Sequence, residues 1–144
     1  MVLFYLNGIV LNYFIKKEYD YAIRICAYLA GQKDKTPVAV SRISQAMHLT
    51  RPFTTKIVYT LIKSHILKSV QGKNGGIYLE KDATTLSVFD ILLGMGFNTT
   101  LNDCLIEGHV CPLSEKCKIH RFFAEQEKLL FDNFKNKMIS ELIF

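Results

Sequence analysis

The stretch "HLTRPFTTKIVYTLIKSH", His48–His65, together with the "ILKSVQGKNGGIYLE" that follows it, Ile66–Glu80, decides the fold. Thr50 stands where a helix N-cap is wanted, and Pro52 falls in the first turn, where a missing N–H costs nothing. Phe53, Ile57, Leu61 and Ile62 then make an apolar stripe at helical spacing. Just upstream, Val40–Met47 forms a shorter segment with Ile43, Ala46 and Met47 on one face. Two short helices joined by a tight turn, the second well started, are a helix-turn-helix pattern. Ile66–Val70 and Ile77–Glu80 read as short strands, and the "QGKNGG" between them is turn chemistry. A hairpin directly after the second helix is the layout of a winged helix.

Outward from this centre the chain is mostly helical. From Tyr13 to Ala30, Phe14, Tyr21, Ile25, Tyr28 and Leu29 recur at helical spacing, with Ala22 and Ala27 as small fillers, and "GQKDKTP" ends the run. Cys26 sits among these residues and reads as a small core group. "LSVFDILLGM", Leu86–Met95, reads as another helix, with Ser87 and Asp90 at capping-box spacing. "IHRFFAEQEKLLFDNFKNKMISELIF", Ile119–Phe144, carries one stripe through Ile119, Phe123, Leu130, Phe134, Met138 and Leu142. That stripe suits either packing across a two-fold axis or packing on its own domain.

The chain has 144 residues, 49% hydrophobic and 22% charged, which suits a single globular domain with an appended element. Eighteen Lys and Arg stand against thirteen Asp and Glu, a net charge of +5 that suits a polyanion partner. "MVLFYLNGIVLNYF", Met1–Phe14, has no basic region before its apolar run and is shorter than the roughly twenty residues of a membrane span. It is expected to be part of a folded helix or a leader to one, in a cytoplasmic chain with no membrane partner.

On a second helix placed as a reading helix, the exposed N-terminal face is expected to offer Arg51, Thr54, Thr55, Lys56 and Tyr59 to the major groove. Lys63, Lys68 and Lys73 would contact phosphate, with Lys73 and Asn74 at the wing tip and Gly72, Gly75 and Gly76 allowing close backbone approach. His48 and His65, at the edges of that helix, read as surface or phosphate contacts.

"CLIEGHVCPLSEKCKIH", Cys104–His120, concentrates three of four cysteines and two of four histidines in a segment without periodicity, read as a loop. In a reducing compartment such clustering favours metal or redox chemistry over disulfides. The intervals are six and five residues, wider than common zinc knuckles, although Cys117 and His120 are close enough to share one ion. A Cys3His zinc site and an iron–sulfur cluster completed by a weaker fourth ligand both stay open. His109 reads as a solvated loop residue. A Cys–His nucleophile pair lacks any arguable oxyanion site, so an enzyme is not expected.

In combination these segments resemble the bacterial winged-helix regulators that include IscR and NsrR, the Rrf2 family, from about Tyr13 into the C-terminal helix. The carriers are "EYDYAIRICAYLA", the whole of "PVAVSRISQAMHLTRPFTTKIVYTLIKSHILKSVQGKNGGIYL", "LSVFDIL" and the three cysteines, in that order. The resemblance implies a mainly α fold: a winged helix-turn-helix over residues 13–96 with a small β-hairpin wing, a cluster-binding loop over 97–117, and a long dimerisation helix over 118–144. Residues 1–12 extend beyond the family's usual start. It also implies a homodimer on a palindromic operator in double-stranded DNA, controlled by an iron–sulfur cluster of two or four irons. Cys104, Cys111 and Cys117 would be its thiolate ligands. The fourth ligand would be His120, as in IscR-like members, or Asp20 of the other subunit, as in NsrR-like members. The implied signal is nitric oxide, redox state or cluster supply. A structural zinc site or a thiol-oxidation switch on the same fold is the alternative. Two departures stand out: the first cysteine interval is six residues where several members have five, and Gln71 stands where many carry arginine in the wing.

Overall fold

The computed structural model describes residues 4–6, 9–11, 13–113 and 116–144. The N-terminal segment contains two antiparallel strands, β1 (Phe4–Leu6) and β2 (Ile9–Leu11), in the register Phe4↔Leu11 and Leu6↔Ile9. This corrects the expectation of a helix there. The segment pairs aromatic and β-branched residues around an Asn-Gly dipeptide, a sequence that favours a two-residue hairpin. The rest of the 1–12 extension lies outside the described residues.

Helix α1 (Lys17–Ala30) starts four residues later than its apolar pattern suggested, with Lys16 extended at the cap. Glu18 and Asp20 in its first turn complement the helix dipole. Tyr19, Ala22, Ile25, Cys26 and Leu29 form its buried face. Burial pushes the Cys26 thiol far above its ordinary range, so Cys26 packs as an inert core group. The helix ends at Gly31, whose N–H donates to the Ala27 carbonyl at 3.2 Å.

Helices α2 (Val40–Ala46) and α3 (Arg51–Lys63) form the helix-turn-helix. Ile43 and Met47 are buried as expected, whereas Ala46 is exposed and Ser44 takes an inward place. The turn between them passes through His48 at φ 51°, and the Leu49 N–H closes it on the Ser44 carbonyl at 2.9 Å. Thr50 occupies the N-cap of α3 by backbone conformation, but its side chain makes no capping bond. The buried face of α3 is Thr54, Ile57, Val58 and Leu61.

Strands β3 (Leu67–Val70) and β4 (Gly76–Leu79) pair antiparallel from Leu67↔Leu79 to Val70↔Gly76, forming the wing. Val38 adds a single bridge to Ile77, with N–H···O distances of 2.8 Å in both directions. That approach is why residue 76 is glycine: a Cβ there would lie 2.6 Å from the Val38 carbonyl carbon.

Helix α4 (Val88–Gly94) begins with the expected capping box, Asp90 N–H to Ser87 Oγ at 3.1 Å and Ser87 N–H to Asp90 Oδ2 at 2.9 Å. Helix α5 (Lys118–Asn136) does not continue to the C-terminus, which corrects the expectation of one helix over 118–144. The chain leaves it at Lys137, whose carbonyl accepts from the Val88 N–H at 2.9 Å. A short 3-10 turn, Ile139–Leu142, follows. The Ile139 N–H donates to Leu86 and the Ser140 N–H to Ala83, both at 2.9 Å, while the Ile139 side chain is fully buried. The break therefore lets Ile139 enter the common core beside Ile25, Ile57, Leu61, Ile91 and Leu92.

Candidate nucleic-acid interface and cysteine loop

On α3 the inward face described above leaves Arg51, Thr55, Lys56 and Tyr59 exposed along the other side. Arg51, Thr55 and Tyr59 recur at four-residue steps and, with Pro52 and Lys56, line one shallow hollow. Pro52 was not singled out for this surface, although the same four-residue arithmetic could have found it. Thr54 is a correction: it is completely buried, its Oγ1 donating to the Thr50 carbonyl at 3.1 Å, so it presents nothing to a ligand. Lys56 Nζ lies 3.8 Å from Glu18 on α1, a mostly solvent-screened pair. Lys63 Nζ sits 4.5 Å from the Tyr59 ring centroid, a cation–π contact that orders both side chains. At the wing tip, Lys73 and Asn74 are exposed at the corner of a turn closed by the Gly75 N–H on the Gly72 carbonyl at 3.0 Å. Gly72 has φ 112°, a conformation glycine adopts without strain. Helix face and wing tip thus offer cations from two elements, the arrangement a groove and its flanking phosphates accept.

The cysteine loop joins α4 to α5. Its entry is fixed by Phe97, which is buried and packs edge-on to Phe14 at 5.4 Å, Tyr19 at 5.9 Å and Phe131 at 6.1 Å between centroids. Glu127 of α5 holds the next stretch, accepting from the Leu101 N–H at 2.9 Å. Cys104 lies in a 3-10 turn, Asp103–Leu105, where its N–H donates to Asn102 Oδ1 at 3.3 Å. Cys117 is the N-cap of α5, and its Sγ accepts from the His120 N–H at 3.4 Å. All four cysteines are free, and Cys104, Cys111 and Cys117 are half-buried. His120 Nδ1 is buried and has no hydrogen-bond partner. His109 is exposed, as expected. Asp20, on α1, is engaged by Arg24, whose Nε donates to its carboxylate at 2.9 Å.

Among the described residues, no group of three or more His, Cys, Asp or Glu side chains converges closely enough to hold a metal ion. Among the described residues, Cys117 is joined to His120 through the His120 backbone N–H. The donor chemistry nevertheless fits an iron–sulfur cluster: three unpaired thiols that are neither sealed in the core nor fully solvated, and an imidazole nitrogen lacking a partner. Among the described residues, no helix is long and apolar enough to cross a membrane.

Comparison with known proteins places this architecture. The family model described as Rrf2, iron-dependent transcriptional regulator, matches residues 15–144. A protein of Aquifex aeolicus described as an HTH-type transcriptional regulator is 31% identical over 125 residues, covering 85% of this chain and 86% of that protein. The HTH-type transcriptional regulator NsrR of Oceanobacillus iheyensis is 22% identical, covering 90% and 88% respectively. Among solved structures, CymR, the global cysteine regulator of B. subtilis, superposes with a TM-score of 0.71 at 17% identity, covering 89% of this chain and 94% of that one. IscR of T. potens superposes with a TM-score of 0.69 at 18% identity, covering 92% and 85%. These structural likenesses establish the mainly helical winged-helix fold, and the relatives are regulators rather than enzymes. The chain belongs to the Rrf2 family of transcriptional regulators.

Proposed function

We propose that the chain is a homodimeric regulator that binds a palindromic operator in the cytoplasm and reads nitric oxide, redox state or iron–sulfur supply through a labile iron–sulfur cluster. DNA contact would rest on Arg51, Thr55, Lys56 and Tyr59 of α3 and on Lys73 and Asn74 of the wing. Cys104, Cys111 and Cys117 would hold the cluster, with His120 or Asp20 as the fourth ligand. The observation that carries the cluster reading is the buried, partnerless Nδ1 of His120, three residues from the Cys117 thiol that caps α5. A buried imidazole nitrogen without a partner is costly, and coordination would satisfy it. Asp20 of the other subunit would coordinate while Arg24 holds its Oδ2, or exchange that exposed pair for the metal. When bound, the cluster supplies oxidisable, nitric-oxide-reactive iron at a position tied to the start of α5.

Dimer formation is supported by the outer face of α5. Ile119, Phe122 and Leu129 are 64%, 55% and 59% exposed on a helix of which no described residue is fully buried. An apolar stripe of that kind marks an interaction surface.

Two details favour a second reading. The three-residue step from Cys117 to His120 suits a shared zinc ion, and a thiol at a helix N-terminus suits an oxidation switch. Anaerobic purification followed by iron, sulfide and zinc assays and light scattering separates the readings. Iron with sulfide, lost in Cys111→Ala, is expected, and His120→Ala and Asp20→Ala then identify the fourth ligand. Zinc without sulfide, or reversible thiol oxidation without metal, would replace the cluster reading with the corresponding alternative.

A further inference from the structure

The hollow on α3 is chemically unlike its surroundings. Arg51 and Lys56 supply charge at its rim, but Pro52, Thr55 and Tyr59 offer a pyrrolidine ring, a methyl group and an aromatic ring. Thr55 determines what its position presents. Its Oγ1 donates to the Arg51 carbonyl at 2.8 Å, so the hydroxyl proton is taken up by the helix backbone and the side chain offers an approaching surface a methyl group beside an oxygen that can only accept. Tyr59 is 58% exposed, and Lys63 rests on its ring, holding the aromatic wall in place. A helix face meant only for phosphate needs cations and hydrogen-bond donors, whereas this one keeps an apolar recess between two cations.

Of the groups that base pairs display in the major groove, the apolar one is the C5 methyl of thymine. We propose that the hollow formed by Pro52, Thr55 and Tyr59 is a thymine-methyl subsite, flanked by Arg51 and Lys56, that makes the regulator select thymine over cytosine at one position of each half-site. The inference rests on the reading of α3 as the DNA-facing helix. It assigns sequence discrimination to apolar contacts, where charge alone would give only affinity.

The test begins by selecting duplexes from a randomised pool with the full chain, isolated both anaerobically and in air. Each selected thymine is then replaced singly by deoxyuridine, which removes the methyl and leaves base pairing and sugar intact, and affinity is read by fluorescence anisotropy at fixed salt. At one thymine position the replacement should weaken binding about fourfold for each methyl removed. Thr55→Ser, which keeps the hydroxyl and deletes the methyl, should bring that ratio close to one, whereas Thr55→Val should preserve it. Circular dichroism confirms that both variants fold. Sequence-selective binding with no methyl-sensitive thymine, or a ratio unchanged by Thr55→Ser, would overturn the subsite while leaving α3 as the reading helix. Binding no duplex even at low salt would overturn both.

Discussion

Ile139→Ala tests whether the C-terminal segment belongs to the winged-helix core. Ile139 is fully buried in a 3-10 turn whose backbone bonds to Leu86 and Ala83. Truncation removes three carbons from a closed site, about 2.4 kcal/mol of transfer free energy at about 0.8 kcal/mol per methylene. The cavity left behind raises the cost to about 3–4 kcal/mol, within the usual range for Ile→Ala in a core. At roughly 3 °C per kcal/mol for a domain of this size, thermal unfolding should fall by about 10 °C. Ile143→Ala is the control, because Ile143 is 45% exposed and its truncation should shift the midpoint by about 2 °C or less. Both are read by circular dichroism melts at matched protein concentration. If Ile139→Ala melts within about 2 °C of the parent, Ile139 is not a core residue and the segment is an appendage of α5.

Three further outcomes follow from other parts of the molecule. For the proposed dimer, the double substitution Phe122→Ala with Leu129→Ala should raise the dissociation constant at least tenfold, seen in light scattering as a dimeric parent and a monomeric variant at one concentration; an unchanged mass refutes α5 as the interface, and a monomeric parent refutes the dimer. Thr54→Val should leave DNA affinity within about twofold and stability within about 1 kcal/mol, since the Thr50 carbonyl still accepts the residue 54 N–H at 3.1 Å; a tenfold loss of affinity would return Thr54 to the interface. The hydrogen bond from Lys137, followed by that from the Met138 N–H, holds the Glu141 carboxyl below its ordinary value. Its contribution is therefore present above the unfolded pKa, near 4.3, and lost as pH falls through the lower folded value. The melting difference between the parent and Glu141→Gln should appear at pH 7 and close toward pH 3, and a difference independent of pH refutes the assignment.

The central architecture was legible because its signals agree across levels. Pro52 at a helix start, Ser87 and Asp90 at capping distance and the glycine-rich wing each have one local reading, and the order of elements admits one familiar assembly. The two misread elements, the N-terminal segment and the end of α5, fall where periodicity is ambiguous. Residues 4–11 are apolar almost throughout, so neither a period of two nor of 3.6 stands out, and the Asn-Gly pair was the signal that distinguishes them. At the other end, Met138 and Leu142 continue the stripe of α5 at a four-residue step. Both are half-buried beyond the end of the helix, so a four-residue step in the sequence runs unbroken through a real break. What ends α5 is tertiary: the pairing of residues 137–140 with residues 83–88 and the burial of Ile139.

At the site, the sequence identified donors and cations better than it placed them. Six residues lie between Cys104 and Cys111, a seven-residue step that reaches about 24 Å when extended, so the spacing permits convergence without requiring it. Only the Cys117–His120 contact is local, and it forms because a helix starts between them. On α3, by contrast, one choice of register decided the outcome. A stripe drawn through Phe53, Ile57 and Leu61 leaves Thr54 at its edge and open to solvent. One drawn through Thr54, Ile57, Val58 and Leu61 uses the same helical steps and turns Thr54 inward. Hydropathy favours the first, because phenylalanine outranks threonine. The fold takes the second, because Thr54 can satisfy its hydroxyl on the Thr50 carbonyl, whereas Phe53 packs at the boundary against Tyr21 with Lys17 over its ring. Thr54 and Thr55 use the same bond, to the carbonyl four residues back, and differ only in direction. That bond satisfies the hydroxyl donor of one threonine inside the core and of the other on the exposed hollow.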